Sequence, residues 1–308
     1  MTGRLVLLRH GESTANRAGT FTGLRDEPLT VEGERQAVTA GRLLKAAGIL
    51  PDQVLTSTLQ RTVRTAELVL DTLDTLDTLG IVIPMETVWQ LNERNYGALT
   101  GMTKTDARRT LGDDEYTRLR RSRNGEPPAM SLQAWTALRS SSALRDLPDA
   151  ALRRTEALSD VIERVRPVLQ NRLVPMVRTG RSVLVVAHGN SLRAMCACVD
   201  DLTDLELHAL NLPTGQPLLY QLTPTGALAP RGGTYLDPAA AQHAAALVAA
   251  EGGTLTPERT SQCSTISSPP TRMWTSPIPQ RACGPCTCGG GSSASSRSAA
   301  RSAHSCAT

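Results

Sequence analysis

Two short apolar runs in this sequence are each closely followed by a histidine. Leu5–Leu8 leads into Arg9-His10-Gly11-Glu12-Ser13, and Ser182–Ala187 leads into His188-Gly189-Asn190. Phosphoryl transfer through an enzyme nucleophile needs an uncharged in-line nucleophile, cations around three equatorial oxygens, and an acid/base for the hydroxyl involved. His10 with Arg9 beside it puts a nucleophile and a cation at one strand end. Gly11 is expected to let backbone N–H groups approach the phosphate. Arg61, expected on the first turn of a helix after Ser57-Thr58, brings a second guanidinium, whose planar fork suits phosphate oxygens better than an ammonium. His188 offers a third donor from the other strand end. Glu93, in the polar loop Asn92-Glu93-Arg94-Asn95-Tyr96-Gly97, is placed to move the proton, and an incoming phosphate dianion favours its keeping one.

Each of these residues alone also has a plain structural reading. A strand-end histidine is more often structural than catalytic, and a loop glutamate is usually just solvated. Arg61 also reads as a surface helix residue, and Arg120-Arg121 as a basic helix face. The chemical reading rests on the coincidence of types at strand ends.

The elements around these residues set whether they can meet. Leu5–Leu8, Val54–Thr56, Ile81–Ile83, Ser182–Ala187 and Pro217–Leu222 read as short strands, the last followed by the turn Thr223-Pro224-Thr225-Gly226. Thr30 is a candidate N-cap for an amphipathic helix to about Ala47, with Gly48 as its stop. A long helix is expected from Ser57 through the repeated Asp71-Thr72-Leu73 triplet to Gly80; leucines three apart keep to one face. Further helices are expected over Thr103–Leu111, Asp113–Arg121, Thr155 to about Val177, and from Asp237-Pro238 through an Ala-rich stretch to about Gly252. Strands alternating with helices imply an α/β fold, a mostly parallel sheet flanked by helices on both faces. Sites in such sheets lie beyond the carboxyl ends of strands. His10 and His188 both hold that position, so they are expected to converge although they stand 178 positions apart.

Composition narrows the partners. The 308 residues are 40% hydrophobic and 20% charged, a globular balance, with one Phe, three Trp and four Tyr, few platforms for base stacking. The net charge of +4 comes from residues 261–308, which carry four arginines and no acid; the rest holds 29 basic and 29 acidic side chains. Neither a nucleic-acid partner nor a membrane surface is expected. Leu5–Leu8 is too short for a signal peptide or a span, so the expected location is cytoplasmic. Residues 1–257 read as the catalytic domain. Residues 258–308, rich in Ser, Cys and Arg, read as a low-complexity tail with disorder as the default. A shifted reading frame gives the same compositional jump. Cys283-x-x-Cys286-x-Cys288 with His304 or Cys306 lacks a second ligand pair, so zinc is not expected.

LVLLRHGESTAN (Leu5–Asn16), FTG (Phe21–Gly23), LNERNYGALTG (Leu91–Gly101), AHGNSLRA (Ala187–Ala194) and LNLPTGQPLLYQL (Leu210–Leu222) resemble, in order, the signatures of the cofactor-dependent phosphoglycerate mutases of the histidine phosphatase superfamily. The resemblance covers residues 4 to about 253. It implies the mutase fold and interconversion of 3-phosphoglycerate and 2-phosphoglycerate, a step of glycolysis and gluconeogenesis. It also implies a phosphoglycerate substrate, 2,3-bisphosphoglycerate as phosphorylating primer, and no metal; a homo-oligomer is left open. By this resemblance His10 is the phosphohistidine, Glu93 the proton donor and acceptor, and His188 the stabiliser of the transferring group, with Arg9 and Arg61 completing the phosphate pocket. It further implies substrate contacts from Gly11, Glu12, Ser13, Asn16, Thr22 and Gly23 in the first signatures. Arg94, Asn95, Tyr96 and Lys104 join them from the middle of the chain, and Arg120, Arg121, Gly189 and Asn190 from later. Asn95 stands where the family usually carries a histidine, Ala15 where a bulkier residue is common, and Ser122–Arg154 lacks the usual acidic and aromatic content. These departures bear on loop closure and efficiency rather than on reaction type. Two competitors remain: a phosphohistidine-dependent phosphomonoesterase, if water reaches phospho-His10 first, and a non-catalytic binding protein on the same fold, which the intact set His10, Arg61, Glu93 and His188 argues against.

Overall fold

Whether the two histidines meet depends on how their strands pair. The computed structural model describes residues 2–73 and 80–252. Six strands form one sheet: β1 (Arg4–Arg9), β2 (Gln53–Thr56), β3 (Met85–Thr87), β4 (Ser182–Ala187), β5 (Pro217–Leu222) and β6 (Leu228–Tyr235). Their order is β3-β2-β4-β1-β5-β6, so β4 lies between β1 and β2. β1 through β4 run parallel, and β5 is antiparallel to both β1 and β6, so the sheet is mixed.

Alternation along β1 explains why a continuous apolar run is needed there. Leu5 and Leu7 pack with Val161, Val165, Leu192 and Met195 on one side, whereas Val6 and Leu8 pack with Ala40, Leu44, Ala66 and Val69 on the other. A strand buried on both faces has no solvent side on which a polar residue is tolerated. Burying each such Leu or Val contributes about 1.5–3 kcal/mol.

The helices follow in chain order. A single turn α1 (Thr14–Arg17) is capped by Ser13, and α2 (Val31–Ala46) by Thr30, whose hydroxyl accepts the Gly33 N–H. α3 (Gln60–Thr72) starts three residues later than expected because the Ser57 hydroxyl is drawn into other contacts; the triplet beyond Leu73 lies outside the described residues. α4 (Lys104–Leu111), α5 (Asp113–Arg121) and α6 (Leu132–Arg139) follow, the first capped by Thr103. α7 (Leu158–Val168) and α8 (Val174–Arg178) are joined by a π-helical stretch, Leu169–Leu173, flanked by Pro167 and Pro175. The helix expected from Thr155 begins at Leu158, since the Thr155 hydroxyl donates to Pro127 O and Asp160 accepts the Ala157 N–H. α9 (Gly189–Asp200), α10 (Asp204–Ala209) and α11 (Pro238–Gly252) complete the set, and Asp237 accepts the Ala240 N–H at the start of α11.

The strand expected over Ile81–Ile83 is not formed; β3 is Met85–Thr87 instead. Val54 pairs with Met85, so residues 81–83 align with the chain before β2, where Pro51 has no N–H to offer. The expected tail disorder and the tail cysteines fall outside the described residues.

Candidate active site

The register of β1 and β4 pairs Arg9 with Ala187, so the next residues, His10 and His188, leave the sheet side by side. The His10 N–H donates to Ala187 O at 3.0 Å, and the two rings meet edge to face with centroids 5.0 Å apart. The His10 ring Nδ1 lies 2.7 Å from Gly11 O, an acceptor, so Nδ1 carries the proton and Nε2 presents its lone pair. His188 is fully buried, with Nδ1 3.2 Å from Arg61 Nε and Nε2 2.7 Å from the Ser57 hydroxyl. Burial, and then the positive potential of Arg61 and Arg9, holds the His10 value well below 6.5; His188 is lowered for the same leading reason. Both rings are therefore neutral at physiological pH.

Arg61 reaches this point from the first turn of α3 because its guanidinium is tethered. It donates to Arg25 O at 2.8 Å and to Gly23 O at 3.1 Å. Desolvation pushes it down to about 10, which leaves it charged. Arg9 is held over the opposite wall by Leu212 O at 2.8 Å, in a loop tied to β1 by the Gly215 N–H to Arg9 O. Glu93 is gripped on one oxygen: Oε1 accepts from the Arg94 N–H at 2.7 Å and from Asn190 Nδ2 at 3.0 Å. The N–H of Asn190, at the N-terminus of α9, adds a third donor at 3.3 Å. Oε2 is left to carry or release a proton.

Above this floor lies a cleft of about 790 Å³. Thirteen of the nineteen expected residues line it. Arg9, His10, Arg61, Glu93, Gly189 and Asn190 line it together with Asn16, Thr22 and Gly23 from the segment after β1, and with Tyr96, Lys104, Arg120 and Arg121 from the middle of the chain. Arg120 sits against Phe21 and Tyr116, its guanidinium carbon 5.8 and 5.2 Å from their ring centroids. Arg121 donates to Asn211 Oδ1 at 2.8 Å and is lowered to about 10 by burial first. Among the described residues lining the cleft, Glu93 alone is acidic. Such a surplus of buried positive charge calls for an anionic ligand with more than one charged group.

His188 lies behind His10, and five expected contact residues sit elsewhere. The Gly11 N–H donates to the Thr65 hydroxyl, and a Cβ on Gly11 would fall 2.1 Å from Gly33 O, so this glycine serves the contact with α2. Glu12 accepts from Arg17 and from the Thr30 hydroxyl, and Ser13 caps α1. Arg94 is buried, donating to the carbonyls of Glu156, Leu119 and Gly125. Asn95 is also buried, bonded to Arg153 O and to the Gly97 N–H.

Two lining or supporting arginines were not singled out by sequence. Arg193 lines the cleft one turn after Asn190, donating to its Oδ1 at 3.2 Å; burial lowers it to about 9, and its Nε–H meets no partner among the described residues. The signal was available as the i, i+3 spacing within AHGNSLRA. Arg164 holds the backbone of the Glu93 loop through Asn92 O and Glu93 O, and pairs with Glu156. Nothing in its helical context marks it.

Residues 5–151 match the histidine phosphatase superfamily (branch 1). A 2,3-bisphosphoglycerate-dependent phosphoglycerate mutase of Corynebacterium efficiens is 44% identical over 251 residues, covering 82% of this chain and 98% of that protein. The protein of the same name from Thermobifida fusca is 42% identical over 248 residues, with 80% and 98% covered. Among solved structures, Bacillus stearothermophilus YhfR aligns at a TM-score of 0.54 with 23% identity, covering 73% of this chain and 94% of that one. A mycobacterial glucosyl-3-phosphoglycerate phosphatase complexed with VO3 aligns at 0.52 with 23% identity, covering 71% and 92%. These two likenesses establish the fold alone.

Proposed function

The chain belongs to the histidine phosphatase superfamily, and we propose that it interconverts 3-phosphoglycerate and 2-phosphoglycerate through a phosphohistidine at His10. The observation that carries this reading is the meeting of a neutral His10, its Nε2 free, with His188 and Arg61 at the base of a guanidinium-lined cleft. The mutases of the two relatives, matched over nearly their whole length, support it. The lining suits a bisphosphorylated, carboxylated anion, because Lys104, Arg120, Arg121 and Arg193 add positive charge to that of Arg9 and Arg61, and a buried Arg193 Nε–H has no partner among the described residues. When bound, 2,3-bisphosphoglycerate supplies the phosphoryl group that loads His10. Arg9 and Arg61 would hold its phosphate next to His10, and Lys104, Arg120 and Arg121 the opposite end.

His10 Nε2 attacks phosphorus in line, and its Nδ1–H to Gly11 O keeps the ring from rotating. Arg9 and Arg61 neutralise the equatorial oxygens as charge spreads over them. Glu93 Oε2 gives a proton to the departing ester oxygen, which leaves as a hydroxyl, and takes one from the hydroxyl that later accepts the group, while its Oε1 stays fixed by three N–H donors. Phospho-His10 then transfers to the free hydroxyl of phosphoglycerate, and the other phosphate returns to His10. Location in the cytoplasm fits this reading; among the described residues no helix is long and apolar enough to cross a membrane.

The test is a coupled isomerisation assay with and without 2,3-bisphosphoglycerate, run beside a measurement of free phosphate. Primer-dependent isomerisation with little phosphate release is expected; phosphate release without isomerisation would replace the mutase by a phosphomonoesterase. His10→Ala is expected to abolish labelling by radioactive primer, and equal labelling in that variant would remove His10 from its role.

A further inference from the structure

Behind His188 lies a pair of buried hydroxyls that the mechanism above does not use. Ser57, Thr62 and His188 are all fully buried. Ser57 Oγ is 2.7 Å from His188 Nε2 and 2.7 Å from Thr62 Oγ1, and it accepts the Leu59 N–H at 3.1 Å. Thr62 Oγ1 lies 2.8 Å from Leu59 O.

The donors in this chain can be assigned from both ends. A carbonyl only accepts, so the Thr62 hydroxyl spends its proton on Leu59 O. Ser57 then donates to Thr62 Oγ1, and its remaining lone pair faces the ring, which must donate from Nε2. At the other end Arg61 Nε always carries hydrogen, so His188 Nδ1 must accept, which again puts the ring proton on Nε2. Two independent chains of donors give one tautomer. Burial, the leading cause of the lowered His188 value, keeps the ring neutral.

We propose that the Ser57–Thr62 hydroxyl pair fixes the orientation and tautomer of His188, holding Nε2 protonated and turning Nδ1 toward Arg61 and the phosphate pocket, so that both hydroxyls are positioning residues for phosphoryl transfer. The proposal rests on the phosphohistidine reading for its kinetic part but not for its spectroscopic part. A ring anchored through Nε2 has its second nitrogen against Arg61, which lines the cleft. Once a phosphoryl dianion sits against Arg61, that nitrogen can bind a proton and donate to the anion without giving up the Ser57 contact. Ser57 cannot compete by donating, because its proton is committed to Thr62. Removing the Thr62 hydroxyl breaks this arrangement at a distance. Of the contacts Ser57 Oγ makes here, the ring nitrogen alone is then left to take its proton, and a neutral imidazole cannot accept at both nitrogens and still carry its own hydrogen.

The experiment compares the full chain with Thr62→Val, which keeps the shape, and Thr62→Ser, which restores a hydroxyl. Ring ¹⁵N–¹H correlation spectra of histidine-labelled protein report the tautomer, with His188→Asn identifying the resonance, and single-turnover labelling by radioactive 2,3-bisphosphoglycerate reports transfer to His10. The wild-type ring is expected to be protonated at Nε2. In Thr62→Val it shifts toward the Nδ1–H form and labelling slows about tenfold, as the loss of one buried hydrogen bond allows. Thr62→Ser recovers both. A wild-type ring protonated at Nδ1 overturns the proposal, as does slower labelling with an unchanged tautomer, which is the mark of a merely structural threonine. An altered tautomer with unchanged labelling overturns it too. If Thr62→Val fails to fold, the wild-type and Thr62→Ser spectra still decide the tautomer. If the wild type takes no label at all, the phosphohistidine reading fails separately while the ring spectrum still stands.

Discussion

At the scale of single residues, the site works by keeping two imidazoles neutral among arginines. His10 is held well below 6.5 first by burial and then by Arg61 and Arg9. The lowered value means that Nε2 stays unprotonated as the solution is acidified. Labelling of His10 by primer is therefore expected to stay level from about pH 7.5 to about pH 6, whereas an ordinary histidine would lose most of its nucleophile there; a decline with a midpoint near the ordinary value would contradict the burial argument. Arg193 adds positive charge to the cleft lining, so Arg193→Met is expected to raise the KM for phosphoglycerate about tenfold while kcat changes less, read from steady-state kinetics. The convergence of His10 and His188 was legible in sequence because both directly follow strands; Arg61, from a helix, and Glu93, from a loop, had no such common signal. Gly11, Glu12 and Ser13 were less legible: the chain turns after His10, and which of three consecutive residues faces the cleft depends on that turn. Arg94 and Asn95 follow Glu93 directly yet point into protein, because Arg164 and Glu156 hold their loop from behind. Ser57 and Thr62 carried no mark of their own, since their roles exist only through the ring each serves, whereas Arg193 was marked only by its spacing from Asn190.

At the scale of elements, α2 and the segment after β1 are in direct backbone contact. A Cβ on Gly33 would lie 2.1 Å from Glu12 O, closer than any side chain tolerates. Gly33→Ala is expected to cost ~2 kcal/mol in denaturant unfolding and to slow His10 labelling, because helix and loop must separate. Thr30→Ala, which removes the cap of the same helix without a clash, is expected to cost ~1 kcal/mol with labelling largely retained. The elements legible in sequence had clean local signals: the cap and stop of α2, the Asp237-Pro238 start of α11, and the apolar runs of β1, β4 and β5. α9 escaped because Asn190 to Ala197 are all buried, so no amphipathic stripe shows. β6 escaped because Pro230, Gly232 and Gly233 erase any alternation.

At the scale of the whole molecule, two buried neutral rings couple folding to acidity. Unfolded, His10 and His188 take up protons below about pH 6.5; folded, they do so only well below that value. The unfolded chain thus binds more protons in this window, and stability present above about pH 6.5 is lost as pH falls toward the folded values. Urea midpoints are expected to drop between about pH 7.5 and about pH 5.5, and to drop less in His10→Asn. The match to the Corynebacterium relative uses 98% of that protein but 82% of this chain. Truncation after Pro257 is therefore expected to leave isomerase activity intact, and a large loss would assign the remaining segment a part in the reaction.

The insertion of β4 between β1 and β2 has a consequence for biosynthesis. A ribosome that has released β1, β2 and the helices around them has made His10 and Arg61 but no anion pocket, because the central strand of the sheet is still unmade. Until residue 188 emerges, β1 and β2 lack the partner that lies between them, and Leu7 and Val54 belong to edges open to self-association. Nascent chains halted before β4 are expected to lean on chaperones and to take no label from primer, so the polypeptide gains its capacity for phosphate only when its middle is filled from its far end.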